Sequence, residues 1–209
     1  MRTLLVLSSV ALAGALFLTA AGPSTPATEA VVTPISSLEA TTYGVDLVHS
    51  NILFKCKHLG VSYQYGRFDK FSGSFTLGDD AASSNVSIMV DPESVNTNHE
   101  GRDKHLRSAD YFNVKQFPEM KFQSTKITKG EGDAYTVVGD LTLHGVTKEI
   151  TMDVTKVGEV DAGERMGQRA GFVGGFTIDR MDYGIESAPD TLGHDVEMMF
   201  SIEGIKGAK

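Results

Sequence analysis

A block of charged residues, set between apolar stretches, carries the side chains best suited to bind a polar group. Five of the twelve residues in segment 101–112 are charged, and the segment lacks the period-two alternation of a strand. It is therefore predicted to be a helix or loop at the edge of a sheet. A helical turn would place Arg102 and His105 on one side, because they are three residues apart. Such a pair could bind the charged head of a ligand.

The same block also has apolar residues. Leu106, Ala109 and Phe112 would lie on a neighbouring face of the helix, where they could pack onto the sheet. A polar clamp beside an apolar wall suits a ligand with a charged head and an apolar tail.

The competing interpretation is that the charged residues pair with one another and fix only the local structure. This interpretation applies to the charged block and also to Arg180, which follows a later predicted strand. The pairs expected on this interpretation are Arg102–Asp110, Asp103–Arg107, and Arg180 with Asp179 or Asp182.

Most of the remaining chain alternates between apolar and polar residues. About eight such stretches follow Thr41, which is typical of half-buried antiparallel strands. Turn sequences separate them, for example at 78–80 and 129–133. Helical signal is confined to residues 59–64 and 100–112. These strands could form a sandwich or a closed barrel, and a barrel of about eight strands can hold one ligand.

The alternating rows combine large apolar residues with glycines. A packed sandwich core would explain the large residues, whereas the gaps at Gly73, Gly139 and Gly174 favour a cavity. The large residues predicted to line such a cavity are Phe54, Phe71, Phe75, Met120, Phe122, Phe172, Phe176 and Phe200.

Signatures of catalysis and of metal binding are weak. The chain has no Gly-x-Ser-x-Gly elbow and no phosphate-binding loop. Metal binding by His99, His105 and His144 would need a spacing that fits no standard motif. Cys56 is the only cysteine, so it is expected to point into the core, with a reactive thiol as the alternative. We predict no enzymatic activity, no metal site and no cofactor.

The first residues resemble an export signal. Arg2 precedes an apolar run over 4–18, and small residues follow at 19–21, so residues 1–21 are predicted to be a signal peptide. Residues 22–40 are predicted to be a flexible linker and residues 41–209 the folded domain. Without Arg2 the chain has 18 basic and 27 acidic residues, a net charge of −9. Nucleic acid and acidic membrane surfaces are therefore not expected partners.

Several short motifs follow one another in a fixed order between Tyr43 and Ile205. They occupy residues 46–50, 54–60, 66–73, 102–112, 117–122, 139–148 and 179–184. In these motifs the chain resembles the YceI-like family of exported polyisoprenoid-binding proteins. Two departures are visible, because Cys56 stands where a β-branched residue is commoner and Tyr111 replaces the usual Phe. The chain has no Trp and so is not a lipocalin proper.

The resemblance implies an all-β fold: a single lipocalin-like antiparallel β-barrel of about eight strands with one or two short helices. Its interior would hold a long isoprenoid, such as a polyprenyl phosphate or a quinone, and the helix over 102–112 would partly close it. Arg102 and His105 would then meet the head of the ligand, with Leu106 and Phe112 beside its tail.

The expected function is that of a non-catalytic periplasmic or secreted protein that carries or sequesters such a lipid. Each CH₂ moved from water into an apolar cavity contributes about 0.8 kcal/mol, so a long chain needs an enclosed tunnel. The alternatives are a quinone- or metal-dependent redox or stress accessory protein, an enzyme acting on an isoprenoid, and an interaction module without a ligand. Stable membrane insertion after signal cleavage is not expected, and association into a homodimer is left open.

Overall fold

The protein folds mainly into β-strands, as shown by a computed structural model that describes residues 40–208. This part of the chain contains eleven strands and one α-helix, α1, over Glu100–Leu106. The strands are β1 Thr41–Val45, β2 Asn51–His58, β3 Ser62–Phe68, β4 Phe71–Leu77, β5 Asn85–Val90, β6 Val95–Asn96, β7 Met120–Lys129, β8 Ala134–Leu143, β9 Val146–Asp161, β10 Gln168–Asp179 and β11 Leu192–Lys206.

Eight of the strands close into a barrel. They pair in the order β1-β4-β5-β7-β8-β9-β10-β11, and the pairing of β11 with β1 closes the barrel. Every pairing is antiparallel. The predicted all-β barrel of about eight strands is therefore confirmed. Across residues 40–208, no helix has both the length and the apolar character needed to cross a membrane.

The long strand β11 belongs to two pairings along one edge. Residues 192–201 pair with β2, whereas residues 204–206 pair with β1. Strands β2, β3 and β6 therefore continue the wall beyond the short β1 and lead into α1. We call this extension the β2–β3–β6 flap.

The register defines two ends of the barrel. At one end lie the last residue of β5, the first of β7 and the hairpin between β8 and β9. Phe112, which follows α1, packs there against Leu143 and Ile178. We call this the helix end. The opposite end is formed by the loop after β4 and the hairpin between β7 and β8, and we call it the loop end.

Only one of the two predicted helices exists. The N-terminus of α1 is capped by His99, whose Nδ1 accepts the backbone N–H of Arg102 at 3.1 Å. The helix predicted at 59–64 was wrong, because residues 59–61 form the turn between β2 and β3 and residues 62–64 are the first residues of β3. Leu59 and Gly60 both adopt positive φ angles there, of 51° and 72°. These angles fit a hairpin turn and not an α-helix.

Candidate functional site

The barrel encloses a cavity of about 1020 Å³. Its wall is built by inward-facing side chains from the barrel strands, from the β2–β3–β6 flap and from α1. Ligand sites in proteins commonly measure about 300–1,000 Å³, so the cavity has room for a large molecule. Because the strands of a barrel alternate inward and outward residues, one apolar row from each strand is enough to make this wall.

The structure places eleven of the twelve predicted site residues on this wall. Phe71 is the exception. It is the first residue of β4 and is packed within a core cluster with Phe68 and Val95, so neighbouring side chains cover it. The residues on the wall are Phe54, Phe75, Arg102, His105, Leu106, Phe112, Met120, Phe122, Phe172, Phe176 and Phe200.

Many aliphatic residues of the wall were not among the predicted set. They belong to the same alternating rows as the aromatic residues, so the alternation itself was the signal that could have found them. These residues include Ile52, Val86, Ile88, Val137, Met152, Val154, Ile178, Val196 and Met198.

The glycines in the wall have a different role from the one predicted. A Cβ added to Gly174 would lie 2.7 Å from Cζ of Phe200, its cross-strand partner. A Cβ on Gly66 would likewise lie 2.6 Å from Cε1 of Phe54. The absent side chains therefore make room for aromatic rings that lie against the neighbouring strand. Phenylalanine rings fill the predicted gaps at Gly139 and Gly174, whereas Gly73 lies against Ile88, and the cavity lies inside these side chains.

Arg102 and His105 line the cavity at the helix end, and their contact with the head of a ligand stays a prediction. The Arg102 guanidinium donates from Nε to Thr97 Oγ1 at 2.7 Å and from Nη2 to the Thr97 carbonyl at 2.8 Å. His105 Nε2 lies 2.9 Å from Asp110 Oδ2. The predicted Arg102–Asp110 pair was therefore wrong, because His105 contacts that carboxylate.

The predicted Asp103–Arg107 pair was also wrong. The Asp103 carboxylate is buried and accepts the backbone N–H of Thr97 at 2.9 Å as well as the hydroxyl of Thr97. Arg107 donates from Nε to the Glu93 carbonyl at 2.7 Å and from Nη2 to the Val95 carbonyl at 3.1 Å. Both side chains thus tie α1 to the segment before it instead of to each other.

A second arginine, Arg180, reaches the wall at the helix end, and it was not predicted as a site residue. Arg180 is 3% exposed and follows directly after β10. It donates from Nε to the Gly193 carbonyl at 2.9 Å, from Nη2 to the Leu192 carbonyl at 3.1 Å and from Nη1 to the Ile185 carbonyl.

The pairing of Arg180 with a neighbouring aspartate was wrong. Asp179 accepts the backbone N–H of Met181 at 2.8 Å, and Asp182 pairs with Lys148 at 3.0 Å. The sequence places acidic residues on both sides of Arg180, but the turn directs their carboxylates elsewhere.

Cys56 lies beside this arginine on the cavity wall and is buried, as predicted. Its Sγ contacts the carbonyl of Gly193 at 3.3 Å, the oxygen that also accepts from Arg180 Nε. Burial raises the pKa of the Cys56 thiol, and the nearby Arg180 guanidinium opposes that rise. The thiol is therefore mainly protonated at neutral pH.

The loop end carries charges that compensate one another. Tyr43 donates its hydroxyl to Glu159 at 2.8 Å, and Lys156 Nζ pairs with the same carboxylate at 2.6 Å. Burial, followed by the contact with Glu159, raises the pKa of Tyr43 to about 12. Lys156, followed by Tyr43, lowers the pKa of Glu159. Tyr43, Lys156 and Glu159 thus form one hydrogen-bonded network of opposite charges at this end of the cavity.

One group of potential metal ligands occurs within residues 40–208, outside the cavity wall. Ligand atoms of Asp46, His49 and Glu203 lie within 4.8 Å of one another. Arg169 Nη1 already contacts Asp46 Oδ2 at 2.8 Å and also contacts Glu203. A guanidinium therefore occupies the place of a cation in this group.

The three histidines considered as metal ligands have separate partners. His99 caps α1, and His105 contacts Asp110. His144 Nδ1 lies 3.0 Å from the carbonyl of Tyr183. The fold does not bring these three rings together into a group of ligands in the part of the chain that the structure describes.

Comparison with known proteins agrees with this architecture. A UPF0312 protein of Pseudomonas aeruginosa is 43% identical over 159 residues, which cover 76% of this chain and 82% of the relative. A UPF0312 protein of Serratia proteamaculans is 39% identical over 180 residues, which cover 85% of this chain and 93% of the relative.

Solved structures share the fold. Burkholderia cenocepacia BcnA superposes with a TM-score of 0.69 at 23% identity, covering 76% of this chain and 98% of its own. The Campylobacter jejuni YCEI protein has a TM-score of 0.65 at 28% identity, covering 73% and 90%. A polyisoprenoid binding domain from Saccharophagus degradans has a TM-score of 0.60 at 19% identity, covering 78% and 98%.

The family model described as the YceI-like domain matches residues 43–204, which include nine of the eleven strands in full, most of β1 and β11, and the whole of α1. This match and the identity to the two bacterial relatives show that the chain belongs to the YceI-like family.

Proposed function

We propose that the protein binds a long-chain isoprenoid or a related amphipathic lipid in its barrel, and carries or sequesters it in the periplasm. It does so without a cofactor and without catalysing a reaction. The observation that carries this proposal is the cavity of about 1020 Å³, whose wall is apolar over most of its length and polar at its two ends. The printed description of the Saccharophagus degradans neighbour as a polyisoprenoid binding domain supports the same class of ligand.

The apolar wall accounts for affinity. Each CH₂ group kept out of water contributes about 0.8 kcal/mol, so an enclosed apolar site can hold a chain of isoprene units in an aqueous compartment. Phenylalanine rings and methionine side chains suit a branched, irregular tail, because methionine adapts its shape to gaps. Arg102 and His105 at the helix end are the proposed contacts for the head of the lipid.

Native mass spectrometry of protein purified from its host tests the proposal, because it detects a lipid that stays bound. The informative variant is Phe176→Asp, which places a carboxylate on the inner face of β10. A charged group without partners is costly in an apolar cavity, so we expect lipid retention to fall at least about tenfold.

Val173→Asp is the matched control, because Val173 lies on the same strand and is 37% exposed. It should keep the wild-type amount of lipid. A protein that co-purifies with a metal or with nothing, or a folded Phe176→Asp variant with unchanged lipid, would contradict the proposal. Circular dichroism on both variants shows that each is folded.

A further inference from the structure

Arg180 is a buried cation that has no acidic partner in the described part of the chain. The side chain is 3% exposed and reaches the cavity wall at the helix end. Among residues 40–208, no carboxylate oxygen lies within 4.0 Å of its nitrogen atoms. Since a buried charge is ordinarily paired, this exception needs a physical explanation.

The other arginines show that the exception is tied to the cavity. Arg67, Arg107 and Arg169 all contact carboxylates, and Arg165 is exposed to solvent. The arginines without a carboxylate contact that line the cavity are Arg102 and Arg180. Positive charge is therefore left uncompensated at the helix end, whereas Glu159 compensates Lys156 at the loop end.

The contacts of Arg180 with backbone carbonyls explain only part of its chemistry. A guanidinium has five N–H donors, and three of its hydrogen bonds go to the carbonyls of Ile185, Leu192 and Gly193. Two donors and the full positive charge remain. Neutral carbonyls satisfy donors without neutralising a charge, so a clamp on the β10–β11 connection does not account for an unpaired cation.

We propose that Arg180 is the specificity-determining residue of an anion subsite at the helix end, and that the lipid it selects has a phosphate-type head. The inference rests on the proposed lipid-binding function and narrows it to an anionic head instead of a neutral quinone or alcohol. The head receives the two free N–H donors of Arg180 in charge-assisted hydrogen bonds, which are the strong kind. Arg102 adds a second positive charge at the same end.

The test compares two probes with the same tail, geranylgeranyl monophosphate and geranylgeraniol. Their dissociation constants are measured by calorimetry on full-length protein from which lipid has been removed. The wild type should bind the monophosphate more tightly than the alcohol. Arg180→Met should lower the affinity for the monophosphate roughly ten- to a hundredfold and change that for the alcohol less than about twofold.

Arg107→Met is the matched control. Arg107 also donates to two backbone carbonyls, but it does not line the cavity. It should leave the preference for the monophosphate unchanged. Arg180→Lys keeps the charge with fewer donors, so it should retain most of the preference and supports the assignment where the Met variant fails to fold.

The outcomes separate the two proposals. Wild-type protein that binds neither probe overturns the lipid-binding function itself. Equal affinity of the wild type for both probes overturns the anion subsite and leaves lipid binding intact. An Arg180→Met variant that loses both probes equally assigns Arg180 to structure alone, and an unchanged preference in that variant places the subsite elsewhere.

Discussion

Cys56 is the one thiol of the chain, and its place on the cavity wall makes it a reporter of occupancy. A bound lipid would cover the Sγ atom, so we expect saturating geranylgeraniol to slow alkylation by N-ethylmaleimide at least about tenfold, an effect governed by access to the thiolate. Intact-protein mass spectrometry follows the reaction without interference from a second thiol. An alkylation rate that saturating lipid leaves unchanged would show that the tail does not pass Cys56.

The pH dependence of the same reaction follows from burial. Because burial raises the pKa of the Cys56 thiol, the reactive thiolate is scarcer in the folded protein than in a free thiol at the same pH. The alkylation rate of lipid-free protein should therefore level off at a higher pH than the rate of glutathione, which is the control thiol. A plateau at the same pH as glutathione, or at a lower one, would contradict the effect of burial.

Gly66 limits how far the Phe54 ring extends into the cavity. A methyl group there would lie 2.6 Å from Phe54 Cε1 and 2.9 Å from Thr97 Cγ2, and both neighbours are side chains. Gly66→Ala should push the ring inward, shift the preference to shorter isoprenoid tails and lower stability by about 1–3 kcal/mol, as overpacking does. Binding of a series of polyprenols, together with urea unfolding, measures both effects.

Gly171→Ala is the control for this substitution, because its added Cβ meets nothing closer than 3.9 Å. It should leave the preference for tail length at the wild-type value. The same preference in Gly66→Ala as in the wild type would mean that Phe54 moves away from the cavity instead of into it.

For single residues, the sequence predicts the direction of a side chain better than the groups that the side chain contacts. Alternation identified the inward phenylalanines, because a strand fixes the face of each residue. The alternation could not predict the surroundings of Arg180, because its hydrogen-bond acceptors are the backbone carbonyls of Ile185, Leu192 and Gly193. Local pattern does not determine the path of the β10–β11 connection.

Among the elements, β1, β10 and β11 are joined by a charged cluster. Asp46, just after β1, accepts from Arg169 on β10, and Arg169 also contacts Glu203 on β11. His49 Nδ1 lies 2.8 Å from the same Asp46 oxygen. The contact with His49, followed by that with Arg169, holds the pKa of Asp46 well below its ordinary range despite partial burial.

Asp46→Asn should therefore destabilise the barrel in a pH-dependent way. At pH 7 we expect the free energy of unfolding to fall by about 1.5–3 kcal/mol, the size of a hydrogen bond to a charged group. The folded pKa lies below the unfolded value of about 3.9, so the stabilisation is complete above that value and is lost as the pH falls through the folded pKa.

Urea unfolding at pH 7, 5 and 3 measures this difference between wild type and variant. The difference should be present at pH 7 and pH 5 and should be smaller at pH 3. Asp140→Asn, at an exposed carboxylate on β8, is the control and should cost little at any pH. A difference that stays constant down to pH 3 would mean that the Asp46 carboxylate does not carry the effect.

Element types could be predicted where the period of the pattern was clear. The alternation gave the barrel strands, and the charged block before Phe112 gave α1. The helix prediction at 59–64 failed because a segment of six residues fits one helical turn and a hairpin turn equally well, and the positive φ angles of Leu59 and Gly60 belong to the hairpin.

For the whole molecule, the closed barrel was predictable and the flap beside it was not. Eight strands and a family resemblance were enough to predict a closed barrel. The β2–β3–β6 flap was not foreseen, because it depends on β11 changing partners between residues 201 and 204. Pairing between strands distant in sequence leaves no trace in the local alternation.

The position of β11 in the chain has a consequence for how the protein acquires its shape. This strand pairs with β10, with β2 and with β1, and it is the last strand of the described part. During synthesis, the barrel cannot close before β11 has been made. The inward apolar faces of the earlier strands remain uncovered until then. Contacts between positions so far apart form slowly, on the millisecond-to-second scale typical of β-rich domains. A chaperone that shields the open wall, or a lipid already lying in it, would therefore act before the last strand closes over the interior.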